Sequence, residues 1–76
     1  MTQAERIIEY IKEKGSITPL DFTKDIGGID LARTISYMRR KLGYTNIIGT
    51  REEGVNRFGE PVRYYRYTLA EEGGEQ

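Results

Sequence analysis

The sequence predicts a single α+β domain in which three helices precede a C-terminal β-hairpin. Two observations predict this order. Apolar residues recur every three or four positions up to about residue 42, and beyond residue 46 the chain becomes rich in aromatic and β-branched residues. A glycine follows each helical segment, at the position where the helix is expected to end. A length of 76 residues suits one domain with a small core.

The first helix begins at a capping box, in which Thr2 and Glu5 are three residues apart and each side chain bonds the other's backbone amide. Gly15 is placed to end this helix. The apolar side chains between these signals recur at helical spacing: Ala4, Ile7, Ile8 and Ile11. We therefore expect one face of the first helix to be buried and the other to be solvated.

The second and third helices are close together in sequence. Thr18-Pro19 is a cap followed by proline at the first helical position, and Gly27-Gly28 ends the helix that it starts. Asp30 then caps a third helix. The second helix is expected to bury Leu20, Phe22 and Ile26. Two helices separated by about four residues have the spacing of a helix-turn-helix.

The third helix has two unlike faces. At about 100° per residue, four apolar side chains form one stripe: Leu31, Ile35, Met38 and Leu42. The opposite front carries Arg33, Ser36, Tyr37 and Arg40. Guanidinium, hydroxyl and phenol groups on one face can bond base edges and phosphates in a DNA major groove. The alternative is a surface helix whose solvated face is basic.

The hairpin is predicted from two strands, Asn46–Arg51 and Val62–Leu69, joined by a turn-rich loop over residues 53–61. By alternation, the second strand places three side chains on one face that we assign to the core: Tyr65, Tyr67 and Leu69. The domain is therefore predicted over residues 1–69. Residues 70–76 form an acidic tail that is expected to be disordered.

Charge is distributed unevenly although the net charge is zero. Residues 1–30 carry four basic and six acidic side chains, whereas residues 31–69 carry eight basic and three acidic ones. The tail adds three more glutamates. Because electrostatic potentials are screened within roughly 8 Å at physiological salt, the basic segment can face a polyanion while the acidic groups face away.

The composition argues against an enzyme. The chain has no histidine and no cysteine, which removes the commonest general base and the thiolate nucleophile or metal ligand. Asp21 and Asp25 are neighbours on a helix but form a weak metal site without further ligands. We predict no enzymatic activity, no metal and no cofactor. The sequence shows no membrane span and no signal peptide, so a cytoplasmic location is expected.

The order of three helices, a short link and a hairpin resembles a winged helix-turn-helix domain over residues 3–69. Three strings, ERIIEYIKEKGSITPLDF, LARTISYMRRKLGY and NRFGEPVRYYRYTL, resemble small winged-helix proteins of bacteriophages and prophages. The resemblance implies that the third helix recognises DNA and that the hairpin is a wing. It places Arg33, Ser36, Tyr37 and Arg40 at the groove and Arg57 near the wing tip.

The function predicted is sequence-specific binding of double-stranded DNA, in transcriptional regulation or as a phage accessory factor. Arg33 and Arg40 are the candidates for reading bases, and Ser36 and Tyr37 for contacting bases or phosphates. The candidate phosphate contacts are Lys41, Arg63 and Thr18, which caps the second helix. Arg57 is expected to reach a minor groove.

A single small domain buries a modest area on DNA, so a homodimer on DNA is also considered. The alternative function is a protein-interaction module that binds or inhibits a host protein through the Arg/Tyr face of the third helix. Arginine and tyrosine are also common hot-spot residues of protein interfaces. The dependence of binding on salt would separate the two functions.

Overall fold

The computed structural model describes residues 1–70 and confirms the predicted architecture of three helices followed by an antiparallel hairpin. The helices and strands are α1 (Gln3–Lys14), α2 (Pro19–Asp21), α3 (Leu31–Lys41), β1 (Ile47–Val55) and β2 (Pro61–Leu69). A π-helical turn, Phe22–Ile26, continues α2. The core lies between the helices and the base of the hairpin.

Helix α1 begins and ends as predicted. The Glu5 amide donates to Thr2 Oγ1 at 3.1 Å, and the Thr2 amide donates to Glu5 Oε1 at 2.8 Å, which completes the capping box. Gly15 ends the helix in the left-handed conformation, with φ of 96°. The buried side chains of α1 are Ala4, Ile7 and Ile11, and Ile8 is partly buried against the same core.

The second helix differs from the prediction in one respect. Phe22 is fully buried, but Leu20 is 72% exposed, so the expectation that both pack into the core is wrong. Residues two apart on a helix point about 200° away from each other, and one side chain must therefore face solvent. The π-helical turn then leads into Gly27 and a buried Gly28, where a Cβ would overlap the Phe22 ring.

Helix α3 is capped by Asp30, whose Oδ1 accepts from the Arg33 amide at 3.2 Å. The predicted stripe is confirmed at Leu31, Ile35 and Met38, which are all at most 2% exposed. Leu42 is 46% exposed, so its assignment to the core is wrong. The helix ends at Lys41 with Leu42 as its C-cap, and Leu42 lies one turn beyond Met38, the last residue of the stripe that is buried.

The hairpin is longer than predicted. Its strands pair from Ile47 opposite Leu69 to Val55 opposite Pro61, so β1 runs four residues beyond the predicted end at Arg51. This extension was not detectable in the sequence, because the residues of this part of β1 are exposed or only half-buried. Hydrophobic alternation is detectable only where one face of a strand is buried.

The base of the hairpin joins the core through Ile47 and Tyr67, which are 5% and 6% exposed. Ile17 pairs with Tyr67 through two backbone hydrogen bonds of 2.9 Å, so the segment after α1 contains a short extended link to the hairpin. Leu69 is partly buried, whereas Tyr65 is 48% exposed and was wrongly assigned to the core. Alternation identifies the face of a residue but not its distance from the core, and Tyr65 instead stacks on Tyr67 with 6.2 Å between ring centroids.

The predicted acidic tail, apart from Ala70, lies outside the described residues. The Ala70 amide donates to the Asn46 carbonyl at 2.7 Å and so closes the base of the hairpin. Within residues 1–70, the helices are too short or too polar to span a membrane.

Candidate nucleic-acid interface

The exposed front of α3 carries the four residues that the sequence placed there. Because Leu31, Ile35 and Met38 hold one side of the helix in the core, the side about 180° away must face solvent. Arg33 and Arg40 are exposed there, Tyr37 is 50% exposed, and Ser36 is half-buried. We call these four residues the α3 front.

Two residues of the α3 front are bonded to each other. Arg40 Nε donates to Ser36 Oγ at 3.2 Å, one helical turn away. This bond restricts the Arg40 side chain and occupies its Nε, so the Nη atoms are the donors that can reach a ligand. A guanidinium held in this way is suited to a two-point contact with a planar acceptor pair.

The last turn of α3 holds three cations with different surroundings: Arg39, Arg40 and Lys41. Lys41 is exposed at the end of the helix. Arg39, which the sequence did not single out, donates from Nη2 to the Ile47 carbonyl at 2.8 Å and joins α3 to the first residue of β1. The sequence signal for Arg39 was its place beside the apolar stripe, at about 80° from Leu31 on the helix.

At the hairpin tip, Arg57 and Phe58 stand out from the turn between the strands. Both are exposed, and the Arg57 guanidinium carbon lies 5.4 Å from the centre of the Phe58 ring, a cation–π arrangement. Asn56 holds the turn, because its Oδ1 accepts from the amides of Phe58 and Glu60 at 2.9 and 3.1 Å. The tip therefore exposes a cation and an aromatic ring on a turn that is held by hydrogen bonds.

The remaining cations of the hairpin divide into exposed and bonded ones. Arg63 is 69% exposed at its side chain and lies 3.8 Å from Glu53, an ion pair of small energy in solvent. Arg66 is bonded to Glu52 Oε2 at 2.9 Å and to Ser16 Oγ at 2.8 Å. The Arg66 hydrogen bond lowers the pKa of Glu52, and the same bond raises the pKa of Arg66. Arg63 can reach a ligand, whereas Arg66 stabilises the hairpin.

Arg51 is a further exposed cation, and it is not among the contact residues predicted from the sequence. It stands opposite Tyr65 in the strand register, on the hairpin face that carries Ile47 and Tyr67 at its base. Its charge was visible in the sequence, but its pairing with Tyr65 was not, because the register of the two strands was not predicted.

Thr18 is the least accessible of the predicted contact residues, with 8% exposure. Its Oγ1 accepts from the Asp21 amide at 3.2 Å, and its own amide donates to the Asp21 carboxylate at 3.0 Å. Both polar groups of Thr18 are thus engaged in starting α2. The structure therefore distributes the predicted residues over the α3 front and the end of α3, the hairpin, and the start of α2.

Three helices with an exposed basic α3 front, followed by an antiparallel hairpin, define a small helix-turn-helix domain with a wing. The family model of the winged helix-turn-helix domain matches residues 2–72, and the chain belongs to that family. Membership indicates DNA binding as the type of function and a domain that is typically non-enzymatic. No curated protein and no solved structure matches the chain. The hairpin over residues 47–69 is called the wing from here on.

Proposed function

We propose that this protein binds double-stranded DNA in a sequence-specific manner, with α3 in the major groove and the wing at the adjacent minor groove. The observation that carries this proposal is the α3 front, which exposes Arg33 and Arg40 directly opposite a fully buried stripe. A helix with a fixed back and a hydrogen-bonding front fits the width of a major groove.

Base reading is assigned to the two arginines of the α3 front. Arginine pairs with guanine O6 and N7 through two hydrogen bonds, the commonest specific contact in protein–DNA complexes. The bond from Arg40 Nε to Ser36 Oγ supports this role, because it restricts the side chain and leaves the two Nη atoms as donors for a base. Tyr37 and Ser36 contact bases or phosphates beside them in this proposal.

Phosphate contacts are assigned to Lys41 and Arg63, which are exposed at the end of α3 and on the wing. Arg57 at the wing tip would reach the minor groove, whose negative potential attracts arginine where the groove is narrow. The hydroxyl of Thr18 is already bonded to the Asp21 amide, so the role proposed for Thr18 is to position the start of α2 near a phosphate.

The proposed cellular role is transcriptional regulation or an accessory DNA-binding function of a phage type, exerted in the cytoplasm. The three sequence strings that resemble phage and prophage proteins support the second role. Two copies on the DNA are part of the proposal, because one domain of this size buries a modest area on DNA and specific binding usually calls for a dimer.

A protein partner is the second candidate, and one feature of the surface favours it. Tyr37 and Leu42, 50% and 46% exposed, line a cleft of about 290 Å³ together with residues at the start of α1. An exposed tyrosine at the edge of a cleft is a typical anchor for a protein interface. In this alternative, the α3 front binds or inhibits a host protein.

Salt dependence tests the proposal. If three or four phosphates are contacted, log K should fall against log[salt] with a slope of roughly −3 to −4 per monomer. The measurement is fluorescence anisotropy on a duplex selected from a random-sequence pool. Lys41→Ala should reduce the slope by about 0.9, whereas Lys12→Ala, an equal charge change on α1, should leave it unchanged.

A slope near zero, or no binding at low salt, would reject DNA binding and favour the protein partner. Equal effects of Lys41→Ala and Lys12→Ala on the salt slope would show that DNA is attracted by the overall charge of the protein and not by contacts at the end of α3.

A further inference from the structure

The wing tip contains an aromatic side chain that no packing in the described structure explains. Phe58 is 74% exposed, and its ring is contacted by the Arg57 guanidinium. An exposed phenylalanine at the end of a hairpin loses the hydrophobic stabilisation that burial would provide. Its presence is therefore better explained by a surface that it meets in a complex.

Hydrogen bonds within the turn that carries Phe58 fix its backbone, so the ring projects from a defined position. Asn56 Oδ1 accepts from the Phe58 amide, and the backbone of Asn56 bonds Glu60 and Gly59 at 2.9 and 3.0 Å. Gly59 has φ of 79°, which a glycine adopts without strain and which closes the turn. The Glu60 carboxylate accepts from Asn56 Nδ2 at 2.9 Å.

Charge and position together indicate which surface the ring meets. Arg57, directly beside Phe58, is a cation suited to the minor groove. The base of the wing is joined to the end of α3 by the bond between Arg39 and the Ile47 carbonyl, so the tip belongs to an element that is attached to the helix assigned to DNA. Proteins at the minor groove often insert an apolar side chain between base pairs, which partly unstacks the step and bends the duplex.

We propose that the wing tip is a DNA-bending element, in which Phe58 acts as a wedge at a minor-groove base step while Arg57 neutralises the neighbouring phosphates. The proposal rests on the proposed DNA binding and adds an activity to it. Pyrimidine–purine steps such as TA unstack most easily, so they are the expected target of the ring. DNA sequence would then be read at the wing through deformability rather than through hydrogen bonds.

The bend is tested by fluorescence resonance energy transfer between dyes at the two ends of a duplex of about 30 base pairs that contains the selected site. The wild-type chain should bend the duplex by about 20° or more. Phe58→Ala should leave the duplex close to straight, and Phe58→Leu should keep part of the bend because it keeps apolar bulk. Val55→Ala, a truncation of another exposed apolar residue of the wing, is the matched control and should bend DNA like the wild type.

A second measurement locates the wedge. 2-Aminopurine is placed at successive positions beside the site, and its fluorescence should rise at one step when the wild-type chain binds and stay unchanged with Phe58→Ala. Replacing a TA step at that position by AA should weaken wild-type binding about fivefold or more. The same replacement should change the binding of Phe58→Ala by less than about twofold.

The outcomes separate the two proposals. If the wild-type chain binds the duplex but leaves it straight, or if Phe58→Ala bends it equally, the wedge is rejected and DNA binding stands. If the wild-type chain binds no duplex at any salt concentration, both proposals are overturned. Because Phe58 and Val55 are exposed, all variants should unfold at nearly the same temperature as the wild type. Thermal unfolding checks this before the DNA measurements.

Discussion

Helix α3 and the wing are held in place in different ways. α3 has three side chains that are almost fully buried, Leu31, Ile35 and Met38, and the core therefore determines which of its faces is exposed. In the wing, Ile47 and Tyr67 are the two buried strand residues, and both lie near its base. The core thus fixes the direction of α3 but only the root of the wing.

Beyond its base, the wing depends on local interactions. Arg66 bonds Glu52 across the strands and Ser16 on the link after α1, with side chains that are about one-third exposed. At the tip, Asn56 supplies the turn's hydrogen bonds. Exposed ion pairs and turns contribute little to global stability, so the outer wing can vary without unfolding the domain.

The first prediction concerns stability and has the largest expected effect. Ile35→Ala should lower the free energy of unfolding by about 2–5 kcal/mol, because Ile35 is 1% exposed and a cavity would replace its side chain. Val55→Ala in the wing, where the side chain is 70% exposed, should cost less than about 0.5 kcal/mol. Urea unfolding followed by circular dichroism measures both.

Glu9→Ala, on the exposed face of α1, is a second control and should also cost less than about 0.5 kcal/mol. If Ile35→Ala and Val55→Ala shift the urea midpoint equally, then the assumed difference between a core-held helix and a locally held wing is wrong.

The second prediction compares the two regions in DNA binding. Arg40→Ala should weaken binding to the best site by about 1–3 kcal/mol and relax the preference at one base position, because Arg40 lies opposite the buried stripe. Arg57→Ala should weaken binding to cognate and random duplexes by similar factors and reduce the salt slope by about one. Selection from a random pool, followed by sequencing of the bound fraction, measures the preferences of each variant.

The reverse result would have a clear meaning. If Arg40→Ala weakened binding to all DNA sequences alike and Arg57→Ala removed the preference for one base, the wing and not α3 would be the base-reading element. The winged-helix fold would stand, but the docking of α3 in the major groove would be overturned.

The sequence predicted α3 better than the wing, and the reason is the same difference in burial. The stripe of Leu31, Ile35 and Met38 was visible because a helix with one buried face repeats every three to four residues. The caps at Thr2 and Asp30 were visible because they depend on neighbouring residues alone. The outer part of β1 has no buried face, so its sequence showed no alternation and β1 was predicted too short.

Other details needed tertiary information that no local pattern contains. Tyr65 and Tyr67 share a strand face in the sequence, but only the position of the core decides that Tyr67 is buried and Tyr65 is exposed. The π-helical turn after α2 and the bond from Arg39 to the Ile47 carbonyl likewise depend on how the elements meet. For the candidate site, the α3 front and the capping role of Thr18 were predictable from local spacing, whereas the bonds that engage Arg39 and Arg66 were not.

The third prediction has the smallest expected effect and tests the local interactions of the wing. The hydrogen bond from Arg66 lowers the pKa of Glu52 from its ordinary value of 4.5. A carboxyl group whose pKa is lower in the folded than in the unfolded chain stabilises the fold above the unfolded pKa. This contribution is lost as the pH falls through the lowered pKa of the folded state, so it should be present at pH 7 and absent well below pH 4.5.

Glu52→Gln should therefore lower the melting temperature slightly at pH 7, and its difference from the wild type should disappear as the pH is lowered towards 3. Glu53→Gln removes an equal charge from the same strand, but its partner Arg63 lies 3.8 Å away and both side chains are about 70% exposed. Its effect should be smaller at pH 7, because an exposed pair at that distance contributes little. Thermal unfolding of the two variants and the wild type at pH 7, 5, 4 and 3 makes the comparison. Identical curves for Glu52→Gln and the wild type at pH 7 would mean that backbone pairing alone holds the wing and that Arg66 is available for DNA.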